Sequence, residues 1–584
     1  MIEYDEHIKN LPAHLKQFVV DQEYDHYTAI DHAVWRYVMR KNYVHMAPLA
    51  HESYIDGLKK AGLTIDSIPT MYGMNRILKQ IGWGAAAVDG FIPPNVFMEF
   101  QAYKVLVIAM DIRTLKHIEY TPAPDIIHEA AGHAPIIADP EYADYLIRFG
   151  EIGSKAFSSS FGYEQYEAIR HLSIIKENPN TLPEKIKEAE LKLLQINKAI
   201  EKNDLSEMAL IRRLHWWTVE YGLVGTLDNP KIYGAGLLSS IGEGINCLKP
   251  DVVKLPYSIK AQDYEFDITK PQPQLFVTPS FTFLTEVLEK FAEGMAFRTG
   301  GLSAIKKAIE SKNLSTVVYS SGLQVSGIFT EVLTSENTPV YIRTNSPTSL
   351  ASNNQELDDH GKSYHKDGFG SPVGALKDTN KPLENMTNQE LFELGIDPGK
   401  QVSLLFASGV HVSGKIKHIL RVKNKVILIA FEACQVTYKD MVLFQPEWGI
   451  YDMAVGTHII SAFPGAADQE AYGSMYDVPE EKTHKIAYSK KDIALQKLYQ
   501  QVRDIREKDQ DIMPLQIIWQ NLKTNYTNDW LLPLEILELI TNQDGFDVLK
   551  QEITDYLKIK AQYDQSLERL IHDGLELLET VTSV

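Results

Sequence analysis

The chain has 584 residues, 44% hydrophobic and 23% charged, with a formal net charge of -19. That length and balance suit an ordinary soluble protein with room for more than one domain, not a low-complexity or fibrous chain. The acidity argues against a nucleic-acid partner, which needs basic surface to displace counterions, and Cys247 and Cys434 alone offer neither a disulfide framework nor a thiolate metal cluster.

The first residues, Met1-Ile2-Glu3-Tyr4-Asp5-Glu6-His7, are acidic and polar, and no apolar run approaches the ~18 residues that span a bilayer. The expected setting is soluble and cytoplasmic, without a membrane partner. Residues 8 to 85 show helical periodicity, for example at Ile30, Ala33, Val34 and Tyr37, with Thr28 as N-cap and Asp31 three residues later. His32, His45 and His51 lie in this region without metal-ligand spacing and read as surface or core residues. Gly82-Trp83-Gly84 and Gly90-Phe91-Ile92-Pro93-Pro94 predict a loop, with Phe97 after it. Tyr103 to Met110 reads as a buried strand, followed by Arg113, Lys116 and a Tyr120-Thr121-Pro122 turn.

Next comes the densest set of ligand-type residues, Asp125-Ile126-Ile127-His128-Glu129-Ala130-Ala131-Gly132-His133, with Asp125 at the expected helix start. Closely spaced imidazoles favour a transition metal over calcium or magnesium. A zincin spaces its histidines four apart on one helical face. Here they stand five apart, ~140° around an ideal helix, so the helix is expected to end or distort near Gly132. A carboxylate from elsewhere would complete a 2-His-1-carboxylate triad of the non-haem iron type.

From about 142 to 225 the pattern is helical, and Glu184 to Lys202 reads as an exposed, charge-laced scaffold helix. The apolar, aromatic run Leu214 to Leu223 carries one carboxylate, and buried Glu is rare unless paired or metal-bound, so Glu220 is the candidate third ligand. Tyr233 to Glu243 is expected to be a Gly/Ser-rich loop that lets backbone approach a ligand, and it lacks the dinucleotide fingerprint.

Tyr120 to Pro135, Trp216 to Leu223 and Tyr233 to Glu243, in that order, resemble the catalytic domain of the pterin-dependent aromatic amino acid hydroxylases. Ala29 to Arg36 is similar to the N-terminal helix of bacterial members, and the likeness covers roughly residues 20 to 310. The resemblance implies a mainly α, basket-like domain with short strands, holding Fe(II) on His128, His133 and Glu220. It also implies that Phe97 stacks on a tetrahydropterin with Ile92 beside it, and that Glu129 faces the pterin without binding iron. Arg113 would bind the amino-acid carboxylate and be held by Asp125, Thr121 and Trp216 would line the substrate site, and Ser239 would support His128. The implied reaction hydroxylates a free aromatic amino acid with dioxygen, L-phenylalanine to L-tyrosine being the default and tyrosine or tryptophan the alternative substrates within the same family. His215 departs from the Tyr usual in animal members beside the pterin, Asn95 and Val96 replace a more polar pair, and the interval from His133 to Glu220 is long, the charged helix being the expected insertion.

Residues 344 to 400 are rich in Ser, Asn, Asp, Gly and Pro and are expected to form a polar linker or long loop. His360 and His365, with Asp358, Asp359 and Asp367, read as solvated residues of that linker rather than as a second metal site. Short strands are predicted at 402–406, 410–416 and 426–431 with a hairpin tip at Lys423-Asn424-Lys425, and helices from about 488 to 580. The expected layout is a catalytic domain over 1–330, a linker over 331–400, a small β domain over 401–470 and a C-terminal helical region over 471–584 for oligomer or partner contacts. A zinc hydrolase with Glu129 as base and a scaffold protein descended from a hydroxylase are the alternatives from other classes. The first fails on the histidine spacing and leaves Phe97, Arg113 and Glu220 without a role; the intact ligand set argues against the second.

Overall fold

The computed structural model describes residues 6–90, 92–119, 124–177, 181–200, 205–240, 242–266, 271–473, 488–508 and 510–580. Helix α1 (Ala29–Lys41) starts at a capping box in which the Thr28 hydroxyl accepts from Asp31 N at 3.3 Å and the Asp31 carboxylate accepts from Thr28 N at 2.7 Å. Strands β1 (Gly84–Val88) and β2 (Val105–Ala109) pair in parallel and are buried along their length, which suits their unbroken apolar runs. Between them, Pro93 caps and Pro94 opens α2 (Pro94–Ala102), because a proline's missing N–H costs nothing in a first turn. Phe97 therefore sits on a helix directly after the diproline.

Helix α3 (Pro140–Gly153) begins at Asp139, whose carboxylate accepts from Glu141 N and Tyr142 N. The helices Ser160–Glu177 and Pro183–Ile200 follow, and in the second only Ala189 and Ile196 are buried, as its charge lacing implies. Helix α4 (Glu207–His215) leads through a wider turn into a four-stranded sheet ordered Asn229–Ile232, Gly222–Thr226, Gln274–Thr278 and Val253–Pro256. The expected loop Tyr233 to Glu243 instead contains a short buried helix, α5 (Ala235–Ser239). Its glycines serve protein packing: a Cβ on Gly236 would lie 2.7 Å from the Tyr221 ring. Such a use, which the sequence shares with a ligand-binding loop, depends on what the fold brings alongside.

The expected linker is folded. Strands β3 (Ser315–Tyr319) and β4 (Leu323–Gly327) form a sheet in which Ser349–Ser352 pairs with β4, while Gly370–Pro372 pairs with Thr338–Thr344 in another. These strands are too short to show a period, and the polar residues between them serve turns: Asn353, Asn354, Asp359 and Asp378 all have positive φ, which Asn and Asp tolerate. Strands β5 (Val410–Val422) and β6 (Lys425–Tyr438) form a long hairpin whose tip residues Lys423 and Asn424 have φ of 49 and 67, as a type I′ turn requires. Strand β7 (Tyr451–Ala454) pairs with the other edge of β6, and β8 (Ile459–Pro464) returns to pair with β3. Because β3 and β8 share a ladder, neither the expected boundary at 330 nor the one at 400 separates packed units.

The C-terminal helices also depart from the expected layout. Helices α6 (Lys490–Glu507), α7 (Leu531–Ile540) and α8 (Gln565–Thr580) pack on α1. One hydrophobic core contains Trp35, Tyr37 and Trp217 together with Trp519, Leu532 and Ile571. The Tyr37 hydroxyl donates to Leu570 O at 2.7 Å, and its ring meets Trp530 edge-on at 5.3 Å. Arg36, 3% exposed, pairs with Glu538 at 2.6 Å and with Asp66, and Lys41 pairs with Asp573. A helix buried nearly all round needs cover on every side, and the C-terminal helices supply the cover that residues 8 to 85 cannot. Among the described residues no helix is long and apolar enough to cross a membrane.

Candidate active site

Two π-helical turns build the centre of the site. Residues His128–His133 form one and Trp216–Glu220 the other, closed by i→i+5 hydrogen bonds from Ala134 N to Glu129 O (3.3 Å) and from Tyr221 N to Trp216 O (2.8 Å). The extra residue per turn resolves the awkward spacing: five residues then bring a side chain nearly back over its starting direction, and His128 Nε2 and His133 Nε2 lie 3.1 Å apart. Gly132 permits this turn to touch α5, since a Cβ there would lie 2.7 Å from Ala235 O. The second turn swings Glu220 inward, with Oε2 3.3 Å from His128 Nε2 and Oε1 3.4 Å from His133 Nε2. Two imidazoles and a carboxylate converging at one point suit a divalent transition metal. Burial by itself would raise the Glu220 carboxyl, but His133 and His128 beside it hold it well below the usual range, so it stands ready as an anionic ligand.

Ser239 sets the tautomer of His128. Its hydroxyl donates to Ala235 O at 2.7 Å, so the 2.9 Å contact with His128 Nδ1 takes the imidazole N–H as donor. The lone pair is then left on Nε2, toward His133 and Glu220. Ser239→Ala is expected to weaken Fe(II) binding by roughly 10–100-fold while leaving the melting temperature nearly unchanged, as titration of the chelator-stripped protein would show.

Arg113 and Asp125 form a buried fork: Nε donates to Oδ2 and Nη2 to Oδ1, both at 2.8 Å, and Arg113 N adds a bond to Oδ2 at 2.9 Å. Asp125 Oδ1 also accepts from His128 N at 3.0 Å, tying the guanidinium to the first imidazole. Burial would raise the Asp125 carboxyl, and Arg113 overrides it and keeps the pKa below the ordinary value.

A cavity of about 320 Å³ lies against the triad, lined by Ile92, Phe97, Arg113, His128, Glu129, His215, Trp216, Glu220 and Ser239. His133 lies behind its wall, 3% exposed, and Asp125 reaches the cavity through Arg113. Thr121 lies outside the described residues. Trp216 is sandwiched between Tyr221 (4.6 Å) and Phe266 (4.4 Å), and His215 packs edge-on against Phe97 (5.8 Å) and Phe149 (5.2 Å). Burial pulls His215 down to about 4, so it is a neutral imidazole near pH 7. Glu129 is pushed up to about 8 by burial, against the pull of His133, and its Oε2, 3.8 Å from His133 Nε2, has no hydrogen-bond partner among the described residues. Arg212, Tyr221 and Phe266 line the cavity without having been singled out in the sequence. Arg212 is one helical turn before Trp216, a spacing that could have flagged it; Phe266 comes from a separate segment with no local signal.

Residues 10–162 and 197–299 match the family of biopterin-dependent aromatic amino acid hydroxylases. The matched segments take in under half of the chain, and over them the N-terminal part is similar to that family. The match passes over 163–196, so most of the helical hairpin Ser160–Glu177 and Pro183–Ile200 is the additional segment. A phenylalanine-4-hydroxylase of Chromobacterium violaceum is 29% identical over 232 residues, 40% of this chain and 63% of that protein. One from Mesorhizobium japonicum is 29% identical over 292 residues, covering 49% and 86%. A crystal structure of the C. violaceum enzyme with bound iron(III) and oxidized 7,8-dihydrobiopterin aligns at 25% identity and TM-score 0.37, covering 50% of this chain and 95% of that one. The residues present fit a pterin: the Phe97 ring offers a stacking face, and the unpartnered, buried Glu129 oxygen offers a hydrogen-bonding site to a polar heterocycle.

Proposed function

We propose that the protein is an iron- and tetrahydropterin-dependent monooxygenase that converts L-phenylalanine to L-tyrosine. The observation that carries this reading is one cavity lined by His128, Glu220, the Phe97 ring and Arg113, with His133 behind its wall completing the donor set. The names of the relatives support phenylalanine as substrate. Iron and the reduced pterin, when bound, supply the electrons that divide dioxygen, one oxygen atom going to the substrate ring and the other to the pterin.

The residues do the positioning. Arg113, whose Nε and Nη2 are bonded to Asp125 and whose Nη1 donates to Ser239 O at 3.2 Å, would offer the remaining N–H of Nη2 to the amino-acid carboxylate. Phe97 and Ile92 would hold the flat pterin, and the buried Glu129 carboxyl would offer it a hydrogen-bonding group. Trp216, fixed between two rings, forms a rigid apolar wall for the aromatic side chain and helps to exclude water. His128, His133 and Glu220 would hold the metal, and the cavity beside them would leave room for the substrate and pterin.

The deciding experiment is product analysis with phenylalanine, tyrosine and tryptophan, each with Fe(II), tetrahydropterin and dioxygen. Tyrosine formed from phenylalanine at the highest kcat/KM supports the proposal. A preference for another amino acid reassigns the substrate, and zinc-dependent peptidase activity without a pterin requirement overturns the reading. Arg113→Lys is expected to raise KM for the amino acid by roughly tenfold, about one charge-assisted hydrogen bond, with the pterin KM little changed.

A further inference from the structure

A second set of metal-type donors converges in the β-rich part of the chain. His418 lies on β5 and Asp452 on β7, the strands that flank β6, and both pair with Ala430. Directly opposed residues of antiparallel strands point to the same face, so the two side chains rise on either side of a residue that carries only a methyl group. A register shift in β5 between Ile416 and His418 sets that facing. His360 comes from the loop after Gln355–Glu356, where its N donates to Leu357 O and its O accepts from Leu350 N, each at 3.0 Å. One donor atom from each of His360, His418 and Asp452 lies within 4.8 Å of the others.

A second, independent feature points to a cation. Asp452 is 5% exposed, yet its Oδ1 has no hydrogen-bond partner among the described residues. A buried carboxylate oxygen without a donor is costly, and a bound cation would remove the cost. His360 is also 5% exposed, and its Nδ1 lies 3.2 Å from Nε2 of the buried His365, with the two rings stacked at 5.4 Å. An imidazole held by another polar group through one ring nitrogen is a common arrangement for a metal ligand. The sequence neighbours Asp358, Asp359 and Asp367 take no part; the carboxylate comes from a distant strand.

We propose that His360, His418 and Asp452 bind a second divalent metal ion of the zinc class, with His365 as a positioning residue for His360. Two imidazoles and one carboxylate exclude a calcium or magnesium preference, and the exposed position of His418 leaves the fourth coordination place to water. The ion would clamp the His360 loop to β5 and β7. The inference does not depend on the reaction proposed for the N-terminal half.

The test uses the full chain, stripped with chelator and titrated with Co(II) and Zn(II). Wild type is expected to take up two Co(II) per chain, and His133→Ala, which breaks the first triad, one. His418→Ala, a change at an exposed residue that spares the core, is expected to take up one, and the His133→Ala/His418→Ala double variant none. His365→Ala in the His133→Ala background is expected to weaken Zn(II) binding roughly 10–100-fold. Uptake of two Co(II) by His418→Ala, or equal Zn(II) affinity in the double variant and in folded His133→Ala, overturns the proposal. So does a wild-type chain that binds a single Co(II) lost on His133→Ala.

Discussion

Glu220→Ala is expected to abolish tight Fe(II) binding and, with it, product formation, while the protein remains folded. Loss of an outer hydrogen-bond partner already costs a metal site 10–100-fold in affinity, so loss of a ligand, and the only anionic one, should exceed ~100-fold, or about 2.8 kcal/mol. Folding should survive because Glu220 is a buried carboxylate whose burial cost opposes its attraction to His128 and His133; an alanine removes both terms. Glu220→Gln separates charge from shape: it keeps the size and an oxygen donor but no charge, and should fall between wild type and alanine in affinity. Iron content after dialysis, product formation and a thermal melt make the check. Full iron content and turnover in Glu220→Ala would remove this residue from the ligand set.

A fragment ending at residue 330 is expected to be insoluble or to lack a cooperative melt. The cut removes Trp530, Leu532, Ile536, Leu537, Leu570 and Ile571, all buried in the same core as α1, and uncovers the face of α1 they occupy. Fully burying one such side chain is worth about 1.5–3 kcal/mol, so six represent roughly 9–18 kcal/mol, as large as the 5–15 kcal/mol net stability of a typical domain. The cut also strips β3 of β8 and β4 of Ser349–Ser352, leaving both strands with open edges. Coexpression of residues 488–584 with a fragment carrying 1–470 should restore solubility, since both the core and the ladders are then complete. A soluble 1–330 fragment that melts within a few degrees of the full chain would show the C-terminal helices to be dispensable.

Much of the metal site was legible because donor chemistry is written in residue types. His128, His133 and an acid in an otherwise apolar aromatic run named a triad before any geometry was known. The capping box at Thr28 and Asp31 and the turn at Lys423 and Asn424 were legible too, since both are contacts among residues a few positions apart. The segment 344–400 misled because turn-forming residues have the same composition whether the pieces between them pair or float. The C-terminal helices misled because amphipathic periodicity shows that a face will be buried and says nothing of what buries it.

The sequence by itself marked which groups could bind a metal and where helices and hairpins begin, while the roles of Arg113 and Phe97 came only with the family resemblance. Only the tertiary structure decided that two π-turns aim His128, His133 and Glu220 at one point, that Phe266 joins the cavity wall, that α6, α7 and α8 close the core around α1, and that Asp452 is the carboxylate His360 meets. The division has a physical cause: caps and turns are satisfied within a few residues, whereas ligand convergence and core closure join segments far apart along the chain, and their energy exists only once the whole chain has packed.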